Sequence, residues 1–291
     1  MDLTDRIEVV GTERAEVGEG PVWDVRSSRL VWVDILGRRI HVTDPRTGKT
    51  DSIDVPLHVG AVVPRVAGGY VAALQDGFWI VGDGAPRRIV TVAEARPGLR
   101  FNDGKCDPAG RFWAGTMAYD EAPGAAWLYR LEASGLATRV LDGATISNGL
   151  AWSGDGRTMY YIDSPTQRVD AFTFDRATGD LRDRRTVIQI PKELGTPDGM
   201  TIDADGGLWV ALWGGGAVHQ YVDGRLHREI RLPASRVTSC AFGDKDLGTL
   251  FITSAREGLS DDDLRDQPLA GALFRVRPGV RGVAPHTYLG G

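Results

Sequence analysis

One phrase recurs along the 291-residue chain: a turn containing Asp or Gly, then a short apolar strand rich in aromatic residues. Clear copies run over residues 23–34, 107–115, 153–163 and 203–211, with weaker ones over 65–73 and 243–252. Each copy reads as a hairpin, an outgoing strand and a returning strand joined at a tight turn of the Asp-x-x-Gly kind. Units of roughly 40–50 residues with several strands apiece are the mark of a β-propeller. One such unit cannot bury both faces of its sheet, so the copies must stack around an axis. The chain is expected to be all-β, a six-bladed β-propeller of four-stranded antiparallel blades filling residues 1–291 as a single domain. A β-sandwich is the alternative, and it does not account for six evenly spaced copies. The unit signatures of WD40 and kelch propellers are missing.

Other segments fill in the units. Residues 126–131 with 138–141, and 168–174 with 186–190, read as the two further strands of a blade. Helix is scarce, with one short turn expected over 260–265 and Ser260 as its cap. The counts agree: 29 Asp against 10 Glu, and 38 Gly, favour turns over helices. Asn, an ordinary turn residue, occurs only as Asn102 and Asn148.

Charge and hydropathy narrow the function. With 34 basic against 39 acidic residues and only four Lys, no stretch is dense enough in positive charge to grip nucleic acid. No apolar run approaches the roughly 18 residues of a membrane helix. The polar start, Met1 to Arg6, has no apolar signal segment. Cys106 and Cys240 lack metal-type spacing and are too few for a disulfide framework. A cytoplasmic protein, a monomer or weak oligomer that binds neither nucleic acid nor membrane, is the expectation.

In a propeller, the start of each innermost strand lies at the central channel. Four segments occupy such places: 18–23 (Gly-Glu-Gly-Pro-Val-Trp), 100–107 (Arg-Phe-Asn-Asp-Gly-Lys-Cys-Asp), 146–152 (Ile-Ser-Asn-Gly-Leu-Ala-Trp) and 197–203 (Pro-Asp-Gly-Met-Thr-Ile-Asp). Each sets a charged or amide residue beside Gly just before an apolar strand. Taken alone, Asn148-Gly149 and Asp198-Gly199 read as turns. Recurrence in phase with the repeat instead places them face to face around a ring. Glu, Asp and Asn oxygens converging on one point make a hard-cation site with room for water and a substrate oxygen. The five His lie outside these segments, and no nucleophile elbow, zinc-binding helix or P-loop occurs. Asp155 and Asp205 read as hairpin turns rather than calcium loops.

At these residues the chain resembles the gluconolactonase / senescence marker protein / luciferin-regenerating enzyme family, from the Gly-Glu-Gly-Pro segment through residues 253–260 and 267–271. The resemblance implies a six-bladed, metal-dependent propeller that hydrolyses a sugar (aldonic acid) lactone to the open-chain acid. It implies Glu19, Asn148 and Asp198 as metal ligands, and Arg100 and Asn102 as contacts to the sugar hydroxyls. Asp120, after Gly115-Thr116-Met117, fills the place of a further acidic substrate contact in some relatives, with Glu121 beside it. In the implied mechanism the metal polarises the lactone carbonyl and Asp198 guides or deprotonates the attacking water. One divalent ion is expected, the choice among Ca, Mg, Mn, Fe(II) and Zn being open. A phosphotriesterase-like hydrolase on the same metal, and a metal-binding propeller without catalysis, are the rival readings.

Overall fold

In this computed structural model, which describes residues 6–92 and 98–291, twenty-four strands form six four-stranded antiparallel sheets. The expected six-bladed propeller is the fold observed. The start of the chain ahead of Arg6, read above as a polar N-terminus, lies outside the described residues. The innermost strands are Gly18–Asp24, Val59–Pro64, Leu99–Cys106, Ser147–Trp152, Thr196–Ile202 and Val237–Gly243, defining blades 1 to 6 in chain order. Blades 1 to 5 are consecutive meanders. Blade 6 joins the two ends of the chain: Glu8–Val10 pairs with Leu273–Val276, which pairs with Thr249–Ser254.

The second strand of each blade is packed on both faces, so it reads as a continuous apolar run rather than an alternation. In Arg29–Asp34, Leu30, Val31, Trp32 and Val33 are all buried. Outermost strands are the reverse: Lys49–Asp54 and Leu181–Gln189 are mostly exposed. This is why the expected outer segments 138–141 and 186–190 were too short. The structure has them as Ala137–Ala144 and Leu181–Gln189, because their added residues, small or charged apart from Leu181, are mostly exposed and give no apolar period. Apolar side chains gather into six cores, one between each pair of neighbouring blades.

The repeated Asp has a second task besides the turn. Asp107 Oδ1 accepts from the Ala109 and Arg111 amides, and its Oδ2 accepts from Trp113 Nε1 at 2.8 Å. Asp203 does the same for the Asp205 and Gly207 amides and Trp209 Nε1. One buried carboxylate thus ties the hairpin turn to the large side chain of the next strand. Asp155 likewise closes its own turn, accepting from Ser153 Oγ and the Arg157 amide. The left-handed turn residue is Gly110, Gly156 or Gly206 in blades 3 to 5, but Ser28 in blade 1 and Leu247 in blade 6. Asp261–Asp266 is the one α-helix among the described residues, and Ser260 caps it through a reciprocal bond with Asp263. No helix of the described residues is long and apolar enough to cross a membrane.

Candidate metal and substrate site

All six innermost strands break register with their neighbours near their first residues. The breaks fall at Glu19/Val22, Val59/Ala61, Phe101/Gly104, Ser147/Leu150, Pro197/Met200 and Val237/Ser239. In each, the inner strand carries one residue more than its partner, which is a β-bulge. A bulge re-aims a side chain away from the sheet's normal alternation. Asn102, Asn148 and Asp198 are the first bulged residues of blades 3, 4 and 5, while Glu19 precedes the bulge of blade 1. Starting one position earlier, blade 1 uses the longer Glu rather than Asp or Asn.

The following glycines are a packing necessity. A Cβ on Gly149 would stand 2.7 Å from the Asp198 carbonyl oxygen, and one on Gly199 would stand 2.1 Å from Ser239 Oγ. Inner strands of adjoining blades approach too closely here for any side chain. So Asn148-Gly149 and Asp198-Gly199 are bulges rather than hairpin turns.

Glu19, Asn148 and Asp198 are all less than a tenth exposed. The Asp198 carboxyl lies close enough to Glu19 and Asn148 to interact with both. Burial pushes the Glu19 carboxyl well above the usual carboxylate range, and repulsion from Asp198 and then Asp103 adds to it. Asp198 is raised in the same way, first by burial and then by Asp103. Asn148 Nδ2 donates to Ser164 Oγ at 3.0 Å, while its Oδ1 is buried and accepts no hydrogen bond. Two buried carboxyl groups, both raised by burial and by neighbouring negative charge, beside an amide oxygen without a donor suit a hard divalent cation. Among the described residues, no three His, Cys, Asp or Glu side chains gather in a metal-binding group. A cation here would rest on two carboxylates and an amide.

Arg100 and Asn102 lie next to this trio and are joined to each other. Arg100 Nη1 donates to Asn102 Oδ1 at 2.7 Å and to the Phe101 carbonyl at 3.1 Å. Asn102 Nδ2 donates to the Ser147 carbonyl at 3.1 Å, tying blade 3 to blade 4. Arg100 is half-buried, and burial lowers its pKa against the pull of Tyr119, Glu19 and Asp198. Asp120 is placed differently. It is exposed in the turn after the second strand of blade 3, and its Oδ1 accepts from the Ala122 amide at 3.2 Å. Glu121 follows it, exposed, in a left-handed conformation.

Four further side chains belong to this region. Asp103, buried beside Asn102, has its carboxyl raised by burial. Lys105 crosses the channel to donate from Nζ to the Met200 carbonyl at 2.7 Å, on the strand that carries Asp198. Both belong to the blade 3 segment 100–107, where their neighbours Arg100 and Asn102 carry the family's motif. Tyr119 and His58 stand at the mouth near Arg100; His58 is two residues before the bulged Gly60, the place that Arg100 holds before Asn102. The far end of the channel is lined by Trp23, Trp152 and Phe242 and crossed by the segment 283–286.

Residues 17–256 match the family described as SMP-30/Gluconolactonase/LRE-like region. Regucalcin of Danio rerio is 46% identical over 293 residues, spanning 98% of this chain and 99% of that protein. YvrE of Bacillus subtilis (strain 168), whose name assigns it to the sugar lactone lactonases, is 40% identical over 95% of this chain and 96% of its own length. Among solved structures, regucalcin from Agrobacterium tumefaciens, described as a calcium-binding protein, superimposes with a TM-score of 0.92. It is 30% identical and covers 96% of each chain.

Proposed function

The chain belongs to the SMP-30/gluconolactonase/LRE-like family, and from that footing we propose that it hydrolyses a sugar lactone, a cyclic ester of an aldonic acid, to the open-chain acid. The observation that carries this reading is the grouping of Glu19, Asp198 and the unsatisfied Asn148 oxygen beside the Arg100–Asn102 pair. In this reading Glu19, Asn148 and Asp198 hold one divalent cation through oxygen alone, the donor set of hard ions. When bound, such an ion supplies Lewis acidity to the ester carbonyl.

The remaining steps belong to the chain's own groups. Arg100 has committed Nη1 to Asn102 and the Phe101 carbonyl, and the rest of its planar fork donates to ring hydroxyls. Asn102 fixes that fork, and its amide retains one acceptor and one donor site for a hydroxyl. Asp198 takes the proton of the attacking water, a task suited to a carboxylate within reach of the ester carbon. A neutral polyol substrate requires no positively charged funnel, in keeping with the net charge of -5.

The test is proton release from a panel of five- and six-membered aldonolactones, with and without chelator. Asp198→Ala and Glu19→Gln are expected to lower kcat by about 100-fold or more, with the circular dichroism spectrum unchanged. Lactone opening that survives both substitutions and chelation overturns the reading.

A further inference from the structure

The second strand of blade 3, Phe112–Ala118, ends at the channel mouth, and Tyr119 is the next residue. It is 41% exposed, one of few large hydrophobic side chains so placed among the described residues. An aromatic ring left in solvent for no purpose is free to turn, but this one is held from two sides. The Arg100 guanidinium lies over its face, with Cζ 6.0 Å from the ring centroid. Its hydroxyl is hydrogen-bonded to His58 Nδ1, and the two rings meet edge to face at 64° with centroids 5.8 Å apart. His58 immediately precedes the innermost strand of blade 2. The ring therefore spans blades 2 and 3 directly above the residue assigned to the sugar hydroxyls. Burial, helped by Arg38 and Arg100, lowers the His58 pKa, so the neutral imidazole can accept the phenolic hydrogen at Nδ1.

We propose that Tyr119 is a specificity-determining substrate contact and that His58 is the positioning residue that holds it. The C–H face of a cyclic polyol packs on the Tyr119 ring while Arg100 takes the hydroxyls on its edge. A Tyr supplies a large, rigid, amphipathic surface with two rotatable bonds to immobilise, and its anchors remove much of that cost in advance. The neighbouring Asp120, by contrast, has an oxygen turned back to its own turn. Such a wall selects ring compounds with an apolar face over open-chain esters of the same acids. This inference rests on the lactonase reading for its substrate class.

The experiment compares wild type, Tyr119→Ala, Tyr119→Phe and His58→Ala in two measurements. One is KM and kcat on the aldonolactone panel. The other is calorimetric binding of 1,5-anhydroglucitol, a cyclic polyol without an ester, to the cation-loaded protein. Tyr119→Ala is expected to raise KM about tenfold with kcat changed less than about twofold, and to weaken polyol binding by a similar factor. Tyr119→Phe keeps the face and loses the His58 bond, so it and His58→Ala should raise KM about two- to threefold. Calcium affinity should be the same in all four proteins, since none of the substitutions touches Glu19, Asn148 or Asp198. A wild type that opens lactones, paired with a Tyr119→Ala variant of unaltered KM and polyol affinity, overturns the inference and leaves the lactonase reading standing. A wild type that opens no lactone defeats that reading instead. Polyol affinity alone then decides the wall: a drop in Tyr119→Ala supports it, and no drop or no binding overturns it.

Discussion

Glu19 and Asp198 each carry a carboxyl group raised chiefly by burial and further by neighbouring negative charge. The sign of the consequence follows from linkage. A carboxylate with a folded pKa above its unfolded value of about 4 binds more protons in the native state. For the metal-free protein, these two groups favour folding at low pH, and that contribution is lost as pH rises from about 4 through the folded pKa. A divalent cation displaces the protons and should remove most of the loss. The rise in Tm on adding calcium is therefore expected to be larger at pH 8 than at pH 5, as measured by scanning fluorimetry on chelator-treated protein. An equal rise at both values would show that the pair is not where the cation binds. The two asparagines fit this electrostatic setting. A third carboxylate at 148 would add to the repulsion, whereas the amide offers an oxygen without charge. At 102, an ionised Asp could not donate to the Ser147 carbonyl as Nδ2 does.

Bulges turn single residues into a site. Every innermost strand has one near its start, yet only four of the six carry polar side chains of the candidate site. Blade 2 has Gly60 there, and blade 6 has Thr238, whose hydroxyl donates to the Gly18 carbonyl. The bulge is thus first a device for bringing neighbouring inner strands together, and the glycines show how tightly. Gly149→Ala would press a Cβ against the Asp198 carbonyl oxygen, a backbone atom that cannot rotate away. We expect a cost of about 1–3 kcal/mol from overpacking. Displacement of the Asp198 strand should also weaken calcium binding about tenfold, or about 1.4 kcal/mol. Thermal melts with calorimetric calcium titration check both, and full calcium affinity in a destabilised variant would separate the bulge from the site. The polar-Gly pairs were legible in the sequence because they recur in phase with the hairpins, although each alone resembles a turn. Tyr119 and His58 were not legible, since they flank strands in two different blades and share no spacing. Asp120 occupies the place that the family likeness points to, in the exposed turn after the second strand of blade 3, where its Oδ1 accepts from the Ala122 amide. Outer strands were shortened because their solvent-facing residues carry no apolar period.

A ring of blades turns the inner edge of every sheet toward the channel, where it is protected, but the ring must close. Closure here is made by a strand of three residues, Glu8–Val10 against Leu273–Val276, with Val10 opposite Leu273. Repeats within the chain could not reveal it, because a three-residue strand has no period of its own and its partner lies at the other end. Val10 is buried in the core between blades 6 and 1, among Trp23, Leu30, Trp32, Phe251 and Leu273. Val9, on the opposite face of the same strand, is 37% exposed. Arg275 pairs with Glu8 at 2.6 Å on the solvent side. The apolar contact of Val10, more than this exposed ion pair, is what holds the seam, since exposed pairs contribute at most about 1 kcal/mol. Val10→Asp puts an unpaired carboxyl into that core and is expected to cost about 3 kcal/mol or more. Val9→Asp, which leaves the backbone pairing intact at a position more than a third exposed beside Ile7 and Leu232, should cost less, about 1 kcal/mol. The seam lies between the strand bearing Glu19, in blade 1, and the one bearing Asp198, in blade 5, with blade 6 separating them around the ring. If closure sets their spacing, Val10→Asp should lose calcium affinity at temperatures well below its own melting transition, while Val9→Asp keeps it. Calcium affinity that falls only as Val10→Asp unfolds would mean that the inner strands hold the site together without help from the seam.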